Sequence, residues 1–266
     1  MPLVTVLFTA NINGNIENCN CGDPPLGGLD YLATLIKNER RKSTPVLFID
    51  GGDYFNSYPY LALNEAAADI LLLIRPEGFL PGDQEFAEDK VLLTRLFKQN
   101  NILGSNFRFA SFPAGKVLHR ALDGNRMLAV AGYLSPDSFS EKIPDDIRFN
   151  EKEFEDIYAN RTANSIFVTV FHGTAAALRR FVQAYPKTDL ILWAHEQSNL
   201  IEKRGATTIV GGCSDGEYLT IIRLFIGTDN KVQWNVERKA VTKKYDTDKN
   251  VRRIIEYFHK KNKNQY

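Results

Sequence analysis

The chain of 266 residues has only three cysteines, and 33 Lys+Arg against 32 Asp+Glu leave it almost without net charge. Three is an odd count and too few for the disulfide framework of a small secreted scaffold. A formal charge of +1 gives no overall field to hold a polyanion, so nucleic acid is not an expected partner. No run approaches the ~18–20 consecutive apolar residues that cross a bilayer, and no membrane insertion is expected. The opening MPLVTVLFTANING lacks the basic segment and small-residue cleavage site of a secretory leader. The compartment stays open: cytoplasmic as the sequence stands, periplasmic or exported if a leader has been removed. An internal repeat, a low-complexity stretch and a dividing linker are all missing, which favours a single domain over residues 1–266.

Hydrophobic residues make up 44% of the chain, enough to bury a sizeable core. Residues 3–9 form an apolar, β-branched run that ends in polar, Gly-containing sequence over 11–28, as a buried strand feeding a functional loop does. Leu29, Leu32, Leu35 and Ile36 recur at helical spacing within 29–42, and a second apolar run over 45–50 stops at Gly51-Gly52-Asp53. Strand, helix and strand make a βαβ unit. The pattern continues with helices over 63–74 and 85–100, a short segment over 78–82 and a strand over 102–106.

Beyond residue 117 strands dominate, over 117–121, 126–132, 165–171, 189–193, 207–210, 218–226 and 231–238, with one helix over 174–185. The charged stretch 137–162 reads as an excursion carrying one short helix, and 248–261 as a helix docked through Val251, Ile254, Ile255 and Phe258, with a frayed end from Asn262. So many strands exceed one open sheet. Two packed mixed sheets flanked by helices, a four-layer α/β/β/α sandwich, accommodate them.

In α/β sheets reactive groups collect beyond the carboxyl ends of strands. The polar residues there are Asn11 and Asn13, Asp53, then Asp83, Gln84 and Glu85, then His172, and finally His195 and Gln197. Carboxylates, imidazoles and amides drawn from separate strand ends suit a divalent transition metal such as Mn, Zn or Fe. Each also has a structural reading: Asp53 as a turn former, either histidine as a satisfied strand-end residue, the amides as backbone partners. Tyr54, Phe55, Tyr58 and Tyr60 follow the Asp53 loop and read either as pocket lining or as packing. Cys19 and Cys21 are too close for an ordinary disulfide on relaxed backbone, and read as small loop residues or, with Cys213, as a redox or metal-handling set.

Asn11-Ile12-Asn13, Gly52-Asp53, Gly82-Asp83-Gln84-Glu85, His172 and Ala194-His195-Glu196-Gln197 follow one another in an order that resembles the calcineurin-like metallophosphoesterases, specifically the periplasmic 5′-nucleotidase and UshA-like branch. The Cys19-Asn20-Cys21 and Gly27-Gly28-Leu29 stretches, Asn106 and the glycine-containing segment 211–218 add to the resemblance, which covers about residues 3–226. It implies the four-layer fold and phosphoester hydrolysis, with a small phosphorylated substrate. It also implies one ion at Asp53, Asp83, His172 and His195, and a second at Asn11, Asn13, Asp53 and Gln197. Three neutral amides and one shared carboxylate make the second set weak, so one ion is expected. Asp53 and Gln84 carry the implied catalytic roles, but Gln84 replaces the family's histidine and an amide cannot serve as a general acid. The alternative is a catalytically degenerate member that acts as a binding or scaffold module with a protein partner. No 5′-nucleotidase C-terminal domain is expected in the chain.

Overall fold

The computed structural model describes all residues except 20–21, 111, 113–116, 163 and 264–266, and leaves the side chain of residue 263 out. In chain order the elements are β1 (Val4–Thr9), α1 (Leu29–Arg40), β2 (Val46–Asp50), α2 (Leu61–Ile74), β3 (Gly78–Phe79), α3 (Lys90–Gln99), β4 (Phe107–Phe109), β5 (Leu118–Ala121) and β6 (Met127–Leu134). They continue as β7 (Ile147–Phe149), α4 (Glu151–Ala159), β8 (Ser165–Gly173), α5 (Ala175–Ala184), β9 (Leu190–His195), β10 (Ile201–Arg204), β11 (Thr207–Gly211), β12 (Tyr218–Ile226), β13 (Val232–Ala240) and α6 (Lys249–Lys263).

The strands form two mixed sheets, ordered β13-β12-β1-β2-β3 and β10-β11-β9-β8-β6-β5, with β4 and β7 paired apart. In the first, β1 runs parallel to β2 and antiparallel to β12; in the second, β6, β8, β9 and β11 are parallel and β5 and β10 are antiparallel edges. Strand alternation explains the layering. Val4, Val6 and Phe8 of β1 meet Val168 and Val170 of β8 in the core between the sheets. Leu7 faces the other way, toward Leu32 and Ile36 of α1 and Ile70 and Leu71 of α2. Phe167 and Phe171 of β8 pack outward on Phe154 of α4 and Phe181 of α5. Helix, sheet, sheet and helix therefore succeed one another as expected.

Helix α6 rests on α1 and α2 through Val251 and Ile255, flanked by Ile254 and Phe258. Its start is fixed by Asp248, which accepts from the backbone of Asn250 and Val251 at 3.0 and 3.2 Å and pairs with Lys37. Asn262, expected to fray, is still helical and donates to the Tyr60 hydroxyl at 3.0 Å; the rest of the expected frayed end, 264–266, lies outside the described residues.

The short strands β4, β7 and β10 were not expected, and two expected elements take another form. The helix over 85–100 is divided into a single 3-10 turn, Gln84–Ala87, and α3, whose start is set by Asp89 accepting from Val91 N at 2.7 Å. The strand over 102–106 is reduced to one bridge, Ile102 to Phe79. Its polar residues bond out of register: Asn106 Nδ2 donates to Leu134 O at 2.8 Å and its Oδ1 accepts from Leu134 N at 2.9 Å, so a side chain takes the place of a ladder.

Candidate metal centre

The carboxyl ends of β1, β2 and β3 in one sheet and of β8, β9 and β11 in the other converge on one site. Backbone at these ends is bent into conformations that side chains seldom adopt. Asn11, Asn13, Asp53, His195, Cys213 and Asp215 all have φ between 53° and 84°, six of the nine non-glycine residues with positive φ among those described. Such concentration is characteristic of a site whose geometry is imposed by its surroundings.

Asp53, Asp83, His172 and His195 each present one ligand atom, and these atoms lie within 4.8 Å of one another. His172 Nε2 is 3.2 Å from Asp83 Oδ1 and 3.4 Å from Asp53 Oδ1. His195 Nδ1 is 3.0 Å from Asp83 Oδ1 and 3.8 Å from Asp53 Oδ2. Asp53 and His172 are fully buried, Asp83 and His195 partly so. Burial alone would raise the Asp83 carboxyl, but its hydrogen bonds to His172 and His195 hold it well below the ordinary range. Burial works against a charged His172, yet Asp53 and Asp83 raise it well above its ordinary value. The two carboxylates thus call for positive charge between them.

The surroundings fit a metal ion. His172 Nδ1 is 2.8 Å from the carbonyl oxygen of Gly51, which can only accept, so Nδ1 carries the proton and Nε2 is left as a ligand. Gly82 forms the floor: a Cβ there would come within 2.3 Å of Asp53 Oδ1 and 2.6 Å of His172 Nε2. Gly52, at φ 91°, lets the Asp53 loop pass so close that a Cβ would meet Gly82 N at 2.3 Å. Two carboxylates and two imidazoles are a donor set for a borderline divalent ion.

Glu85 was among the polar strand-end residues but had no role in the sequence reading. Its buried carboxylate accepts from Gly82 N at 2.6 Å, Asp53 N at 3.0 Å, Tyr54 N at 2.7 Å and Phe55 N at 3.0 Å, and so fixes both carboxylate-bearing loops. Burial first, then the Asp53 charge, push it up to about 8, against donors that favour the ionised form. Asp50, also buried, accepts from the Thr9 hydroxyl at 2.6 Å and Gly52 N at 3.0 Å, and burial pushes it up to about 7.

The amides stand differently. Asn11 donates to Cys213 O at 2.9 Å and Glu196 O at 3.2 Å and accepts from His195 N at 2.9 Å, so its side chain ties three loops together. Asn13 Nδ2 donates to Asn11 O and to Asp215 Oδ1, both at 2.9 Å, which fixes the amide so that Oδ1 accepts from Gln84 Nε2 at 3.1 Å. Gln84 N donates to Asp53 Oδ1 at 3.3 Å, and Gln84 Oε1 is buried without a hydrogen-bond partner. Gln197 is exposed. Asp215, not singled out in the sequence, lies in the closing segment after β11 and gave no signal of its own.

Cys19 is disulfide-bonded and Cys213 is a buried free thiol; Cys21 lies outside the described residues. The expectation that Cys19 is an unbonded loop residue is therefore corrected. It assumed relaxed backbone, whereas this loop turns through the positive-φ glycines Gly22, Gly27 and Gly28. Cys19 and Cys213 are therefore not a pair of free thiols.

The calcineurin-like phosphoesterase family model matches residues 19–199, and the chain belongs to that family. No curated protein matches it in sequence. Among solved structures it is similar to the sulfate thiohydrolase SoxB of Thermus thermophilus, at TM-score 0.80 and 16% identity over 97% of this chain and 60% of that one. A 5′-nucleotidase precursor of the same organism gives 0.77 and 14%, over 97% and 58%. The NAD nucleotidase of Haemophilus influenzae gives 0.76 and 13%, over 97% and 60%. At these identities the likeness is one of fold, and the chain spans 58–60% of the length of these proteins.

Proposed function

We propose that the chain is a metal-dependent phosphoester hydrolase that holds one divalent transition metal ion, Mn, Zn or Fe, at Asp53, Asp83, His172 and His195. The observation that carries this reading is the convergence of those ligand atoms within 4.8 Å at a buried site. When bound, such an ion supplies Lewis acidity, which lets water act as a nucleophile near neutral pH. Asp53 and His172, wholly buried, hold their geometry through Glu85 and Gly51. Gln84 has one Nε2 proton beyond its bond to Asn13 with which to hold a substrate oxygen, but it cannot protonate a leaving group, so esters of acidic alcohols and phenols are the favoured substrates. Asn11, Asn13 and Gln197 are assigned no ion of their own, because the first two are engaged within the loops and the third is exposed.

One observation favours a second reading, a binding or scaffold protein of the same fold: the amides of Asn11 and Asn13, two members of the weaker ligand set, are engaged in hydrogen bonds that tie neighbouring loops together. Hydrolysis of p-nitrophenyl phosphate and bis-p-nitrophenyl phosphate with added Mn²⁺ separates the two. A metal-dependent rate that disappears in Asp53→Asn and His172→Ala supports the hydrolase. A native rate no higher than that of the folded variants favours the binding protein.

A further inference from the structure

A cleft of about 510 Å³ opens beside the candidate metal centre, with Asp83 and Gln84 in its wall. Ligand pockets commonly measure ~300–1,000 Å³, and a phosphoryl group alone would leave most of this one empty. The rest of the lining comes from the turn after β3, with Phe86, the loop after β2, with Tyr58, and the segment after β6, with Phe139 and Lys142. The Phe139 ring is anchored by Phe86 at 6.0 Å and Phe149 at 6.2 Å between centroids. Phe86 is in turn wedged among Phe97, Phe107 and Phe109, so the Phe139 surface is fixed. Tyr58 is 62% exposed and takes part in no hydrogen bond or ring contact among the described residues. The cleft thus has one anchored aromatic ring and one ring with no protein partner. Flat π-systems bind such surfaces with more than their buried area alone provides.

We infer that this cleft receives an aromatic group carried on the alcohol side of the phosphoester, with Phe139 as its platform and Tyr58 closing over it. The assignment rests on the hydrolase reading for the placement of the phosphoryl group at Asp83 and Gln84. Lys142, paired with Asp145 at 2.9 Å and 80% exposed, belongs to the polar rim.

The test is calorimetric binding of phenylphosphonate and methylphosphonate, which cannot be hydrolysed, to the Mn²⁺-loaded protein and to Tyr58→Ala and Phe139→Ala. The native protein is expected to prefer the phenyl compound by about tenfold or more, and Phe139→Ala to reduce that preference to about threefold or less. Tyr58→Ala removes a side chain that supports no described neighbour, so it folds and must also weaken the preference. Equal affinities in the native protein, a preference unchanged in both variants, or no binding of either compound overturns the assignment. Hydrolysis of p-nitrophenyl phosphate is read separately. A phenyl preference without hydrolysis retains the cleft and rejects the hydrolase; hydrolysis without a preference does the reverse.

Discussion

His172 directs its Nδ1 proton to the carbonyl oxygen of Gly51, 2.8 Å away, and so turns Nε2 toward Asp53 and Asp83. The contact joins the two sheets at the site, since Gly51 follows β2 and His172 lies in β8. It determines which nitrogen keeps its proton when the other gives its proton up.

Gly82→Ala places a methyl group against Asp53 Oδ1 and His172 Nε2. Mn²⁺ affinity is expected to fall by about ten- to hundredfold, the range seen when groups supporting a metal's ligands are disturbed. Overpacking should cost about 1–3 kcal/mol of stability as well. Calorimetric titration with Mn²⁺ and urea unfolding measure the two effects; unchanged affinity would separate Gly82 from the centre.

Glu85→Gln replaces one of the two oxygens that together accept four backbone N–H groups with an NH₂ that faces donors. A loss of about 2–3 kcal/mol in unfolding free energy is expected above about pH 8, where Glu85 is ionised and its replacement leaves buried donors without their acceptor. Amide hydrogen exchange at Asp53, Tyr54 and Phe55 should accelerate together. A stable protein with unaltered exchange there would contradict the assigned role.

Asp50 and Glu85 both make stability pH-dependent with the same sign, and Asp50 titrates at the lower pH. The Asp50 pKa is about 7 in the fold against an ordinary 3.8, so between those values the native state binds the proton more tightly than the unfolded chain. Stability from this group is fully present below about pH 4 and declines as pH rises to about 7, by up to about 4 kcal/mol. Asp50→Asn should be flatter than the native protein over that window in urea unfolding with a chelator present. Parallel profiles for the two proteins would place the titration elsewhere, Glu85 and His172 being the neighbouring candidates.

Ile255 of α6 is 1% exposed and packs among side chains of α1 and α2. Ile255→Ala should cost about 2–4 kcal/mol in chemical unfolding. A cost below about 1 kcal/mol would mean that the helix is only loosely held.

Long apolar strands were the most legible part of the sequence. β1, β2, β8 and β9 are buried on both faces, so each appears as a continuous hydrophobic run, and the residues that end them are the ones that converge: Asp53 after β2, His172 in β8, His195 closing β9. Short or exposed strands left no such trace. β4 and β7 have three residues each, and β10 is the polar edge Ile201-Glu202-Lys203-Arg204. Side-chain hydrogen bonds that replace backbone pairing were equally hidden, as Asn106 and Glu85 demonstrate. Asn11 and His195 share one pattern of placement in the sequence, yet one ties neighbouring loops together and the other faces the carboxylates.

Metal stoichiometry tests the central claim most directly. The protein is incubated with Mn²⁺, dialysed and analysed for bound metal beside Asp53→Asn and His172→Ala, with folding checked by circular dichroism. About one ion per chain is expected in the native protein, and little or none in either variant. Two ions per chain, no bound ion, or full occupancy retained in both folded variants would contradict a single centre built on Asp53, Asp83, His172 and His195.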